Sequence, residues 1–180
     1  MKLKGVKNLK HGFLYDRYQV TTTTTEAKFF QVPNGQSSKT LLDTNMKIAG
    51  QLESTSKFWM WYLRIIPAMS CTLADAILLL GSGYIDLQIG EAHPLYCPIF
   101  LMPGGAGIVG ISQAGDTGTG NYGYNGTINR EGMVKFARPF IISPNQSFSV
   151  TLNWPTAPSG LSASTYVYVV LEGLTTVPVQ

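Results

Sequence analysis

The sequence predicts an all-β sandwich, and three observations carry that reading. Over residues 148–154, Phe148, Val150, Leu152 and Trp154 alternate with Ser149, Thr151 and Asn153, and a period of two places the large side chains on one face of a strand. No Asp, Glu, Lys or Arg lies between Arg138 and Glu172; this stretch divides into strand-like runs at 140–142, 148–154 and 165–171, the first two joined by Ser143-Pro144-Asn145-Gln146. Only 13% of residues are charged, against a usual value of about 25%, while 19 Gly and 10 Pro supply turns. At 180 residues the chain reads as one domain, large enough to bury a core without disulfide or metal.

The elements follow in order. Residues 1–17 hold Lys2, Lys4, Lys7, Lys10 and Arg17 against Asp16 alone, a net +4, so the remainder is −1 and the whole +3. The first 20 residues therefore read as a basic arm ahead of a nearly neutral domain, 21–180. Such an arm is either a solvated tail or a contact for an acidic surface, phospholipid or nucleic acid. A charged start resembles a signal peptide, but the apolar core of seven or more residues is missing, so no secretion signal is expected.

The threonines at 21–25 lead, as extended chain, into a strand over 26–32 that stops at Pro33-Asn34-Gly35. Residues 34–56 are polar and turn-rich around an apolar island of Met46, Ile48 and Leu52. Residues 58–66 are apolar on both alternating faces, as in a central strand covered on both sides, until Pro67 stops them. Thr72 can cap a short helix with Asp75 in its first turn and Gly81 at its stop; a buried strand is the competing reading. Tyr84, Ile85, Leu87 and Ile89 start another strand, and 95–102 a further one broken by Pro98. Residues 103–126 hold nine glycines and one charge, Asp116, a composition that reads as a long exposed loop closed by Asn125-Gly126. The expected core includes Phe58, Met60, Tyr62, Phe148, Val150, Leu152 and Trp154.

Chemistry-bearing motifs are weak. Residues 118–123 match GxGxxG, but no helix-forming segment follows and no acidic residue lies about 20 positions on, so chance in a Gly-rich loop is the better reading. His11 and His93 are the two histidines; His93 precedes Pro94 in an expected loop, with Glu91 the carboxylate nearby in sequence, and reads as a surface residue rather than a base. No HxxxH or carboxylate cluster suggests a metal. Cys71 and Cys97 read as buried thiols rather than a disulfide. The sequons at Asn125 and Asn145 matter only in a secreted eukaryotic protein. Proline and glycine exclude a membrane helix over 92–115. No catalytic residue, metal or cofactor is expected, and no enzymatic activity.

Two stretches resemble the jelly-roll major capsid proteins of tailless icosahedral bacteriophages, particularly those with an internal lipid membrane. The first runs from Phe29-Phe30-Gln31-Val32-Pro33 through Gly35-Gln36, Lys39-Thr40, Asp43-Thr44-Asn45-Met46 and Gly50-Gln51-Leu52 into 58–66. The second runs from Pro139-Phe140 through Pro144-Asn145-Gln146-Ser147-Phe148 to Val169-Val170-Leu171-Glu172-Gly173 and Pro178-Val179-Gln180. Together they cover somewhat under half the chain. The resemblance implies an eight-stranded single jelly-roll sandwich, a capsid subunit of the virion assembled in the host cytoplasm, with itself and a second capsid protein as partners. It turns the basic arm inward, so that Lys2, Lys4, Lys7, Lys10 and Arg17 become inner-surface contacts to an anionic membrane, with nucleic acid the less favoured partner. The Gly-rich segment 103–126 has no counterpart in that family. The rival reading is a carbohydrate-binding or adhesion module in which Trp59, Trp61 or exposed tyrosines stack on sugar.

Overall fold

The computed structural model describes residues 8–68, 71–102, 104, 109–111, 122–124 and 133–177. Among them are ten strands: β1 (Asn8–Val20), β2 (Glu26–Phe29), β3 (Phe58–Pro67), β4 (Tyr84–Ile89), β5 (Ala92–Pro98), β6 (Val109–Ile111), β7 (Tyr122–Tyr124), β8 (Lys135–Ile142), β9 (Phe148–Asn153) and β10 (Thr165–Val177). One α-helix, α1 (Leu73–Gly81), and a 3₁₀ turn at Ile99–Leu101 complete them.

Eight strands form two four-stranded sheets with antiparallel neighbours, in the orders β1-β10-β3-β8 and β2-β9-β4-β5. Apart from the β4–β5 hairpin, each connection between consecutive members of these eight passes from one sheet to the other, and the first strand ends up beside the last. That wrapping is an eight-stranded jelly roll. The hairpin β6–β7 is inserted between β5 and β8.

The core lies between the two sheets. On β9, Val150 stands between Phe29 and Leu87, and Leu152 between Ala27 and Ile85; across the gap are Phe58, Met60, Leu63 and Ile65 of β3 and Val167, Val169 and Leu171 of β10, all buried. Six of the seven expected core residues are there. Tyr62 is not: a register shift between Met60 and Tyr62 against β8 carries Tyr62 to the outer face, and Leu63 and Ile65 continue the core in its place. β3 is buried on one face only; its outer face is half-buried, not covered on both sides as the apolar run suggests.

Trp154 is 2% exposed and its indole N–H donates to the Leu79 carbonyl at 3.0 Å, tying α1 to the sandwich. The helix begins as its sequence indicates, with the Thr72 hydroxyl accepting from the Asp75 amide. It ends one residue later than expected, on Ser82, with Gly81 its last helical residue. The Asp75 carboxylate, buried, also accepts from the amide and hydroxyl of Ser162, so one residue joins the helix to the loop before β10.

Several expectations are corrected. The basic arm does not extend to residue 20: β1 pairs with β10 along its whole length, from Asn8↔Val177 to Val20↔Thr165, because Leu14, Asp16 and Val20 face the core side. The first domain boundary at 20 thus falls at the end of a sandwich strand. The run at 21–25 is a turn, held by Thr24 N–H to Thr21 O at 3.2 Å and by the Thr24 hydroxyl accepting from the Thr21 amide, and β2 stops at Phe29 because Phe30 takes φ 68°. His93 lies in β5, not in a loop, and Pro98 ends that strand before the 3₁₀ turn. The Gly-rich segment holds the β6–β7 hairpin, with β7 beside α1; Asn125-Gly126 falls outside the described residues.

Replacing Trp154 by Ala is expected to cost about 3–5 kcal/mol in chemical denaturation, since it empties a core site and orphans the Leu79 carbonyl. Gly173→Ala is expected to cost at least as much: a Cβ there would lie 1.8 Å from the Trp59 carbonyl oxygen, at the bulge where β10 shifts register against β3. A loss under about 1 kcal/mol for either would show the register to be wrong.

Candidate functional site

The outer surface of the β1-β10-β3-β8 sheet is built on one buried carboxylate. Asp16 is buried in β1 and accepts hydrogen bonds from the amides of Phe30 and Arg17 and from the Lys39 ammonium. Arg17, the next residue, points to the opposite face. Its guanidinium pairs with Asp43, donates to the Tyr168 hydroxyl at 3.2 Å and lies 4.1 Å over the Tyr166 ring. The 36–45 loop is drawn against the β1 edge by Arg17 N–H to Asp43 O at 2.9 Å, Tyr15 N–H to the Asn45 side chain at 3.0 Å and the Asn45 amide to Phe13 O at 2.7 Å.

This loop forms one wall of an open concavity of about 430 Å³ lined by Phe13, Tyr15, Leu41, Leu42, Ile66, Tyr168 and Val170. Leu41 and Leu42 are 65% and 66% exposed. An apolar patch of this kind marks a surface for a protein, membrane or ligand contact. On the same sheet face, Glu172 is buried between Arg64, at 3.1 Å, and His11, at 3.2 Å.

The outer face of the other sheet differs. Asp86 on β4 takes both carboxylate oxygens to His93 Nδ1, at 2.8 and 3.0 Å. Beside it Tyr84 and Tyr96 pack with ring centroids 4.9 Å apart, Tyr96 being 65% exposed. Asp86 stands opposite Tyr96 on β5 and Thr151 on β9, and Tyr84 opposite Asn153, so β4 lies between the Tyr96 ring and the polar residues of β9.

Of the residues singled out as inner-surface contacts, Lys10 and Arg17 are among those the structure describes. Lys2, Lys4 and Lys7 lie outside the described residues. Lys10 is exposed on β1. The Arg17 guanidinium is engaged by Asp43, Tyr166 and Tyr168. Trp59 and Trp61 are likewise engaged: the ammonium of Lys57 sits 5.3 Å from the first ring and that of Lys135 4.9 Å from the second. Among the exposed tyrosines that the rival reading invokes is Tyr96, whose exposure follows from an edge position that periodicity does not reveal. Of the GxGxxG match, Tyr122 and Gly123 are in strand β7, and the rest falls outside the described residues, as does the Asn125 sequon; Asn145 sits at φ 59° in the turn before β9.

Cys71 is buried and Cys97 half-buried, both free, and burial pushes both thiols up from the ordinary cysteine value, the opposite of what a reactive thiolate needs. Among the described residues no cluster of three or more His, Cys, Asp or Glu is placed to hold a metal ion, and no helix is long and apolar enough to cross a membrane.

The two aspartates titrate in opposite senses. Burial raises the Asp16 carboxyl above its ordinary value, outweighing Lys39 and the Phe30 and Arg17 amides. At Asp43 burial also pushes upward, but the Thr40 amide and hydroxyl and the Arg17 guanidinium together win, and its carboxyl lies below the ordinary value. Asp43 therefore contributes stability that is present above the unfolded carboxylate pKa, about 3.9, and lost as pH falls through the folded value. Asp16 does the reverse, losing stability as pH rises through its raised value. In urea titrations across pH 2–7, Asp43→Asn is expected to flatten the fall in stability on the acid side. Asp16→Asn is expected to remove a decline that begins near pH 4 on the way up; identical pH profiles for both variants would contradict the opposed shifts.

Compared with protein-family models, curated proteins and solved structures, the chain matches none of them.

Proposed function

We propose that this chain is a structural capsid protein, a single jelly-roll subunit that assembles through its interfaces into an icosahedral shell, over an internal lipid membrane. The observation that carries the reading is the strand order itself, β1-β10-β3-β8 against β2-β9-β4-β5, the wrapping used by viral capsid and lectin domains and by cupins. Two further observations support it. The chain is poor in charge, and its exposed large apolar side chains include Leu9, Phe13, Leu41 and Leu42 by the first sheet and Ile77, Phe100 and Leu101 on α1 and the neighbouring 3₁₀ turn. A stable contact buries roughly 1,200–2,000 Å², and such patches supply its apolar centre. Its partners in this reading are further copies of itself and a second capsid protein.

A second reading, a carbohydrate-binding or adhesion module, is favoured by one observation: Tyr96 lies exposed, packed on Tyr84 and opposite Asp86, which pairs with His93. An aromatic face with hydrogen-bonding groups beside it suits a pyranose ring.

Electron microscopy of the protein concentrated with and without phosphatidylglycerol vesicles separates the two. The capsid reading expects closed shells or regular lattices, promoted by the vesicles. A small oligomer at every concentration that binds a glycan array, with binding abolished by Tyr96→Ala, would replace it with the second reading. Deleting residues 1–7, which leaves β1 intact, is expected to weaken vesicle binding by about 1 kcal/mol for each of the three lysines near the membrane, with binding falling as salt rises. A preference for DNA over vesicles would assign the lysines to the genome instead.

A further inference from the structure

A sheet of four strands has two edges, so this sandwich has four, and they are not protected alike. β5 carries Pro94 and Pro98, β8 carries Pro139, and β2 is four residues long; prolines and short edge strands are the usual means by which a sheet avoids adding another chain. β1 has thirteen residues and no proline. Its outward-facing backbone groups belong to the odd-numbered residues: Arg17 N–H, Tyr15 N–H and C=O, and Phe13 C=O are satisfied by Asp43 and Asn45. The register against β10 is unbroken, so Leu9 and His11 aim their N–H and C=O groups the same way. Among the described residues nothing meets them. The unpaired run Leu9 to Phe13 borders a groove of about 650 Å³, whose far side includes Ile48, Gln51 and Glu53.

We propose that two copies of this chain join by antiparallel pairing of β1 with β1 along this run, His11 opposite His11 across a two-fold axis. The run is complementary to itself. An antiparallel edge offers its own copy alternating donors and acceptors in matching order, and a two-fold contact uses the same patch on both subunits. In this register Leu9 stands opposite Phe13 of the other copy. Both are on the outer face and exposed, at 58% and 45%, so an apolar pair forms on either side of the axis. Lys10 stands opposite Gly12, which leaves room for the lysine stem, and each His11 is paired with Glu172 of its own copy. Asn45, already bonded to Phe13 and Tyr15, stops the pairing at Phe13. The contact would join two four-stranded sheets into one of eight and set the two apolar concavities on a continuous face.

The inference deepens the shell reading by naming one of its contacts, and the two fail separately. A dimer that forms no larger particle keeps the edge contact and overturns the shell; shells built by His11→Pro keep the shell and overturn the edge contact.

The test is sedimentation over a range of concentrations with two variants. His11→Pro removes an outward N–H that β10 does not use, so the subunit is expected to fold while dimer affinity drops at least tenfold. His11→Cys keeps the strand geometry. Opposed residues of a hydrogen-bonded antiparallel pair have Cα atoms about 5.5 Å apart, within disulfide range, so mild oxidation is expected to give a covalent dimer against the low background of buried Cys71 and half-buried Cys97. A wild type that stays monomeric overturns the proposal, as does a His11→Cys dimer that does not cross-link. A dimer lost on deleting residues 1–7 but not cross-linked at residue 11 would make those residues of a second copy the added strand and reject the β1–β1 pairing.

Discussion

The buried carboxylate of Asp16 is the constraint on which this surface depends. Removing a carboxylate from water costs several kcal/mol unless charge and hydrogen bonds replace the lost hydration. Three donors from three places do so: the Arg17 amide on its own strand, the Phe30 amide just past β2, and the Lys39 ammonium from the following loop. To aim its amide at Asp16, Phe30 holds φ 68°, a conformation that costs a non-glycine residue of order 1–2 kcal/mol. The same geometry ends β2 and starts the passage toward β3. With Asp16 inside, alternation puts Arg17 outside, where Asp43 and two tyrosines receive it. The wall of the apolar concavity is thus a consequence of a charge buried on the other face of the strand.

The two outer faces of the sandwich then acquire different chemistry from similar backbone. On β1-β10-β3-β8 the charged groups are paired and sunk, Glu172 between Arg64 and His11, and what remains for a partner is Phe13, Leu41, Leu42, Ile66 and Val170. On β2-β9-β4-β5 the small polar residues of β9 that face outward leave the sheet flat, so that Asp86, His93 and Tyr96 stand above it. The first kind of face loses apolar area to water until something covers it. The second is satisfied by water. This contrast directs the assembly reading to one sheet and the glycan reading to the other.

The sequence by itself determined the fold class. Alternation along β9, the turn at 143–146, the capped helix after Thr72 and the density of Gly and Pro are local signals, and local signals survive because they depend on period, capping and turn chemistry within a few residues. It also placed six of the seven named core side chains inside. What only the tertiary structure decided are the features that need a distant partner. Tyr62 left the core because of a bulge opposite β8, which no pattern within β3 encodes. Residues 8–20 read as part of an arm because Lys2, Lys4, Lys7, Lys10 and Arg17 set the charge of the first 17 residues, yet they form a strand, since β10 supplies a thirteen-residue partner that lies some 150 residues away. Arg17 looked available and proved to be engaged by Asp43, Tyr166 and Tyr168, three residues from two other segments. Exposure of Tyr96 and of the β1 edge follows from strand order, and strand order is a property of the closed sandwich rather than of any one stretch of chain.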